Sequence, residues 1–224
     1  GVTPEARGAV EIILDASGSM LKRMGGERRI EIAKAAIRDT VQDFLPDGIP
    51  LALRVYGHRE AGSCRTDLEV PLEPLDKPTF LTTIEGIQAI NLARTPIADS
   101  LAAVASDLGD AEGRRLVVLL TDGEETCEGD PAAAIEALGE QGVDVRVNIV
   151  GFAIDDETLK DEFRSWAKLG GGQYLDAGEA EALGGALEQS LRIPFEVIDA
   201  SGDVVATGFV GEDPHRERFL ARPG

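Results

Sequence analysis

Histidine and cysteine are scarce in this chain, and each shortage removes a class of chemistry. Two histidines, His58 and His215, leave nucleophile–base catalysis poorly supplied. There is no Gly-x-Ser-x-Gly elbow and no Walker loop. Two cysteines, Cys64 and Cys127, do not make a zinc site unaided; they leave open a pair of free core thiols or one disulfide. Basic residues are short as well. Lys and Arg number 22 against 41 Asp and Glu, for a formal net charge of −19. Such a chain lacks the basic face that meets phosphates, which argues against nucleic acid as a partner, and anionic lipid would repel it. The acidic excess reads either as a solubilising surface or as a rim that attracts divalent cations. No apolar run is long enough to cross a bilayer, so no membrane insertion is expected within these residues. The chain opens on Gly1-Val2-Thr3-Pro4 without an initiator Met or a basic-then-apolar leader, and it stops abruptly at Arg222-Pro223-Gly224. It reads as a piece of a longer protein.

What is present is a regular alternation of strand and helix patterns. Its 224 residues are enough for one substantial core and a small extra module. Residues 9–14 form a short apolar run rich in β-branched side chains, as expected of a buried strand in a parallel sheet. Leu116-Val117-Val118-Leu119-Leu120 is a second such run. Further strands are expected at 51–56, 143–151 and 173–176. Residues 67–72 alternate polar and apolar and contain Pro71, which marks an antiparallel edge strand. Helical stripes fall at Ile30, Ala33, Ile37, Val41 and Phe44, then over 80–89, and at Ile97, Leu101, Val104 and Leu108. Asp130-Pro131 starts a fourth helix, and others are expected over 156–169 and 180–193. The pattern predicts an α/β fold: a doubly wound, mostly parallel sheet with helices on both faces and one antiparallel edge strand. Residues 1–193 make this domain. Residues 194–224 read as a β-hairpin, the start of a second β domain that the chain cuts off.

Three stretches carry oxygen ligands where strand packing does not ask for them. The first strand runs into Asp15-Ala16-Ser17-Gly18-Ser19. Thr95-Pro96 precedes a helix. Asp122 follows the long central run, in Thr121-Asp122-Gly123. Loops leaving the carboxyl ends of parallel strands share one rim, so Asp15, Ser17, Ser19, Thr95 and Asp122 can converge. Two carboxylates and three hydroxyls suit a hard cation, Mg²⁺ or Mn²⁺, with Ca²⁺ a further candidate. Each stretch also has a plainer reading. Asp15 and Ser17 can cap a turn, Thr95 can be a helix N-cap, and Asp122-Gly123 can be a tight turn.

Taken together, Asp-x-Ser-x-Ser, Thr-Pro-Ile and Thr-Asp-Gly resemble the von Willebrand factor type A domain over about residues 8–193. The resemblance implies that Asp15, Ser17, Ser19, Thr95 and Asp122 form that family's metal-ion-dependent adhesion site (MIDAS). An acidic side chain of a protein partner would then complete the metal's coordination. Tyr56-Gly57-His58-Arg59, Cys64 and Glu124-Glu125-Thr126-Cys127 resemble a bacterial branch whose members are often exported, which implies an extracellular or cell-envelope location. Both cysteines follow rim strands, and on this resemblance a Cys64–Cys127 disulfide is expected. His58, Arg59 and Glu124 are candidates for the ligand-facing rim, with a plain loop or solvated role as the alternative for each. Glu125 is expected to be solvated. The function implied is a metal-dependent adhesion or assembly module and not an enzyme. One alternative is a structural subunit that uses the metal for a contact within its own complex. The other is a Mg²⁺-dependent phosphatase-like enzyme, but in the dehalogenase-type pattern a second acid stands where this chain has Ser17.

Overall fold

The computed structural model describes residues 8–209 apart from 110, 112, 142, 144, 193 and 199–203. The chain begins with β1 (Gly8–Asp15), followed by one turn of 3₁₀ helix over Gly18–Leu21. A two-residue hairpin, β2 (Arg23–Met24) and β3 (Glu27–Arg28), leads into α1 (Arg29–Asp43). Then come β4 (Pro50–Tyr56), β5 (Thr66–Pro74), α2 (Lys77–Gly86) and α3 (Ile97–Leu108). β6 (Arg114–Thr121), α4 (Pro131–Glu140), β7 (Val145–Phe152) and α5 (Glu157–Leu169) follow. β8 (Tyr174–Ala177) and α6 (Ala180–Ser190) complete the layers, and β9 (Pro194–Ile198) and β10 (Val204–Phe209) form a hairpin.

Six strands make the main sheet in the order β5-β4-β1-β6-β7-β8, all parallel except β5, which runs antiparallel to β4 at the edge. Pro71 lies exposed in that edge strand, where a missing N–H interrupts no inner ladder. Side chains alternate across the sheet. Val10, Ile12, Leu14, Leu116, Val118 and Leu120 face the layer of α1, α2 and α6. Ala9, Ile13, Val117 and Leu119 face α3, α4 and α5. Burial on both faces is why β1 and β6 read as continuous apolar runs. All four expected α3 stripe residues, Ile97, Leu101, Val104 and Leu108, are buried. Hydrophobic burial of this kind stabilises by roughly 1.5–3 kcal/mol per large side chain.

The element boundaries differ in places from the sequence reading. α2 begins at Lys77 rather than at 80, because the Asp76 side chain accepts the Thr79 N–H and caps the helix three residues earlier. α6 closes at Ser190, short of 193. β9 and β10 pair with each other in a separate two-stranded sheet, at the hairpin expected from sequence.

The register decides where the functional loops lie. Asp15 ends β1 opposite Tyr56, and Leu14 stands opposite Leu120, so β1 and β6 stop at the same level. From β1 the chain winds outward through β4 and β5, then returns to place β6 on the other side of β1. The strand order therefore reverses beside β1, and in open α/β sheets such a switch point opens a crevice at the strand carboxyl ends.

Candidate metal centre

Two loops more than a hundred residues apart in sequence meet in that crevice. Asp15 is fully buried. Its Oδ1 accepts the Ser17 N–H at 2.8 Å, and its Oδ2 accepts the Thr121 hydroxyl at 2.7 Å. Ser17 Oγ lies 3.0 Å from Ser19 Oγ, and Ser19 Oγ donates to Asp122 Oδ1 at 2.5 Å. Asp15, Ser17, Ser19 and Asp122 thus form one hydrogen-bonded set. Burial first, and the neighbouring Asp122 charge second, push the Asp15 carboxyl up to about 6. Thr121, a bridge from β6 to Asp15, was not singled out by the sequence reading, although it stands in the Thr-Asp-Gly motif.

Thr95 lies on a neighbouring segment, and among the described residues no hydrogen bond joins it to that set. Gly18 N–H donates to Ala93 O at 3.2 Å, which seats the serine loop on the segment ending at Thr95. Thr95 is buried. Its N–H donates to Thr126 Oγ1 at 2.8 Å, and its carbonyl accepts the Thr126 N–H at 3.1 Å. It does not cap α3. The residue before that helix is Pro96, with no side-chain cap, and the Ala98 N–H donates instead to Glu125 Oε2 at 2.8 Å. Glu125 is therefore not the free solvated side chain expected: its other oxygen accepts the Cys127 N–H at 2.5 Å. Glu124 is exposed, which fits a solvated side chain and a rim position alike.

Tight backbone approaches hold these loops. Gly57 has φ of 81°, and a Cβ there would fall 2.5 Å from the Ser17 nitrogen, so only glycine fits. Gly18 is needed for clearance rather than for an unusual φ: a Cβ on it would come within 3.0 Å of Leu92 N. Leu92 itself has φ of 65° and is 74% exposed beside the serine loop. Its carbonyl accepts the Gly62 N–H at 3.0 Å. Cys64 and Cys127 form a disulfide with a Cα–Cα distance of 5.8 Å, joining the loop after β4 to the loop after β6.

His58 and Arg59 sit at the end of β4, as expected. Their polar contacts run to β5: His58 Nε2 lies 2.6 Å from Glu69 Oε1, and Arg59 Nη2 donates to both oxygens of Glu69 at 2.6 and 2.7 Å. Burial alone would raise the Glu69 carboxyl, but hydrogen bonds from Arg59 and His58 outweigh it and hold it below its ordinary value. Asp67 completes a group with His58 and Glu69, whose ligand atoms lie within 4.8 Å of one another. That group already carries its own cations, since Arg65 Nη2 lies 2.7 Å from Asp67. Asp67 and Glu69 were missed in the sequence because only the antiparallel pairing of β5 with β4 brings them to His58.

The fold and the order of these loops are those of a known family, whose model, the von Willebrand factor type A domain, matches residues 10–169. The chain belongs to that family. YwmD of Bacillus subtilis (strain 168), described as uncharacterized, is 38% identical over 193 residues, which cover 82% of this chain and 84% of YwmD. Proximal thread matrix protein 1 from the mussel byssus, in a structure with a zinc-occupied MIDAS motif, matches with a TM-score of 0.63 at 16% identity. The match covers 82% of this chain and 45% of that one, so this chain spans less than half of the mussel protein. The vWF domain of the type V pili tip protein Mfa5 from Porphyromonas gingivalis matches with a TM-score of 0.62 at 14% identity, over 82% and 94% of the two chains.

Type A domains carry a divalent-metal site and commonly mediate adhesion or protein binding, and the donors at the β1–β6 crevice of this type A domain suit such an ion. Two carboxylates and two hydroxyls face one another there. Among the described residues no cationic side chain pairs with Asp15. A buried carboxylate without a counter-charge is costly. A bound cation would supply that counter-charge.

Proposed function

We propose that this chain is a divalent-cation-dependent protein-binding module. Asp15, Ser17, Ser19, Thr95 and Asp122 hold one Mg²⁺ or Mn²⁺ ion, directly or through water, as a MIDAS. An Asp or Glu side chain of a partner protein takes the remaining position. The observation that carries the reading is the hydrogen-bonded set of Asp15, Ser17, Ser19 and Asp122, assembled at the switch point around a buried and unpaired carboxylate. When bound, the ion supplies a positive centre for an incoming carboxylate. The protein's part is to fix the oxygens and to keep Asp15 out of water.

The set contains a carboxylate pair but no partnered histidine, which supports binding over catalysis. The disulfide supports an oxidising compartment, outside the cell or in its envelope, and a type A neighbour from a pilus tip agrees with that location. We take residues 1–193 as the type A domain and 194–224 as a separate β segment, of which 199–203 and 210–224 lie outside the described residues.

The test is Mn²⁺ binding to the whole chain, followed by free-Mn²⁺ electron paramagnetic resonance, beside capture of partners from the native organism in Mg²⁺ or in chelator. Asp15→Ala and Asp122→Ala are expected to keep the far-ultraviolet circular dichroism of the parent and to lose Mn²⁺ binding at least tenfold. Partner capture that persists in excess chelator would overturn the proposal. Capture that needs Mg²⁺ but never a partner acid would place the ion in a contact within a complex instead.

A further inference from the structure

Asp122 has a cationic neighbour that Asp15 lacks. Arg29, the first residue of α1, donates from Nη1 to Asp122 Oδ2 at 2.9 Å. The Asp122 side chain is fully covered there, and that of Arg29 is 15% exposed. Ser19 uses the other oxygen of the same carboxylate, so the guanidinium and the serine loop share Asp122. The Arg29 backbone is fixed as well, with its N–H donating to Lys22 O at 2.9 Å across the β2–β3 hairpin.

Two features show that local structure does not call for an arginine here. The first turn of a helix carries the positive end of the macrodipole, which disfavours a cation. In addition, the Arg29 Nε is buried without a partner among the described residues, an unfavourable state for a donor. The contact that compensates is the one to Asp122.

A count of charges then gives the consequence. Asp15 and Asp122 together carry two negative charges, so a divalent ion between them would leave the site neutral. Arg29 adds one positive charge within hydrogen-bonding distance of a ligand oxygen. In a part-buried site that charge is weakly screened. It competes with the ion for Asp122 and repels it, and it attracts whatever anion approaches.

We propose that Arg29 sets the net charge of the metal centre, loosening its hold on the cation and leaving the loaded site positive so that it selects an anionic group of the partner. The proposal rests on the metal-dependent reading above. It makes the two affinities move in opposite directions, which loss of structure would not do.

The experiment titrates Mn²⁺ into the parent chain and into Arg29→Gln, Arg29→Met and Arg29→Lys, each checked for a cooperative thermal transition. Both neutral variants are expected to bind Mn²⁺ about tenfold tighter than the parent, and Arg29→Lys to stay within about twofold, since it keeps the charge. Acetate is then added to the Mn²⁺-loaded proteins, and water proton relaxation reports displacement of metal-bound water. The neutral variants are expected to need several-fold more acetate than the parent. Neutral variants that bind Mn²⁺ no tighter than the parent, or that respond equally to acetate, would overturn the proposal. In that case Mn²⁺ binding by the parent, lost in Asp122→Ala, would still uphold the metal site itself. If no form of the chain binds Mn²⁺, both readings fall together. Two neutral variants are used so that poor folding of one still leaves a decision.

Discussion

Glu11 lies in the middle of β1, fully buried, with the Asp107 carboxyl as its acidic neighbour. It faces Arg54 of β4, whose Nε is 3.7 Å away, but that guanidinium is taken in a bidentate grip by Asp107 of α3 at 2.6 and 2.8 Å. Burial, and then the nearby Asp107, raise the Glu11 carboxyl well above its ordinary value, and the Arg54 charge only partly opposes them. In the unfolded chain Glu11 titrates near its usual value, about 4.3. Above that pH the folded state keeps a proton that the unfolded state has released, so stability declines as pH rises toward the raised folded value. Glu11→Gln cannot titrate. Its stability relative to the parent is expected to grow as pH rises above about 4 and to level off once the raised folded value is passed, measured by urea denaturation of both chains. A difference that stays constant with pH would show that Glu11 keeps no extra proton in the fold. The same residue shows a limit of reading β1 from sequence. An apolar run with one acid inside it looks like a plain buried strand. The acid's meaning appears only when Arg54 and Asp107, from β4 and α3, are placed over it.

At the level of elements, the loops around the candidate metal centre form a closed ring. The serine loop after β1 bonds to the 90–95 segment through Gly18 and Ala93. That segment bonds to the loop after β4 through Leu92 and Gly62, and the Cys64–Cys127 disulfide carries the connection to the loop after β6. Thr126 and Glu125 then return it to Thr95 and to the first turn of α3. The disulfide closes a loop of 63 residues, and by chain entropy its removal costs about 4 kcal/mol. We expect the double variant Cys64→Ser with Cys127→Ser to lose about that much in urea unfolding. Mn²⁺ binding to the same variant should weaken severalfold, because Thr126 no longer has a fixed neighbour. Unchanged Mn²⁺ affinity would show that the remaining hydrogen bonds position Thr95 by themselves.

For the whole molecule, the core sets where the chain can be cut. Leu183, Ala186, Leu187 and Leu191, in and just after α6, pack into the layer shared with α1. Among the described residues β9 and β10 pair only in their own sheet. A chain ending after Arg192 is therefore expected to unfold cooperatively and to bind Mn²⁺ like the parent, whereas one ending after Gly178 leaves the core open and should not fold. Circular dichroism melts and the Mn²⁺ titration check both, and a shorter chain that fails at Arg192 would extend the domain into the hairpin. A compact set of donors that depends on a sheet of five strand pairings, four parallel and one antiparallel, cannot be preserved in a fragment that lacks a core layer.

By itself the sequence determined the layered α/β fold and the identities of the candidate ligands. Strand burial and helical period are local patterns, and Asp-x-Ser-x-Ser, Thr-Pro and Thr-Asp-Gly stand in contiguous stretches. The pairing of Cys64 with Cys127 was legible only through the family resemblance. What the tertiary structure decided lies between elements distant in the chain. The β1–β6 register brings Ser19 to Asp122. The start of α1 places Arg29 on the same carboxylate. The Thr126 loop engages Thr95 while Glu125 takes over the capping of α3. Antiparallel pairing turns His58 and Arg59 toward Glu69. The physical reason is the same in each case. Hydrogen bonds and charge pairs act over a few ångströms, and only the packed sheet makes residues far apart in sequence neighbours at that distance.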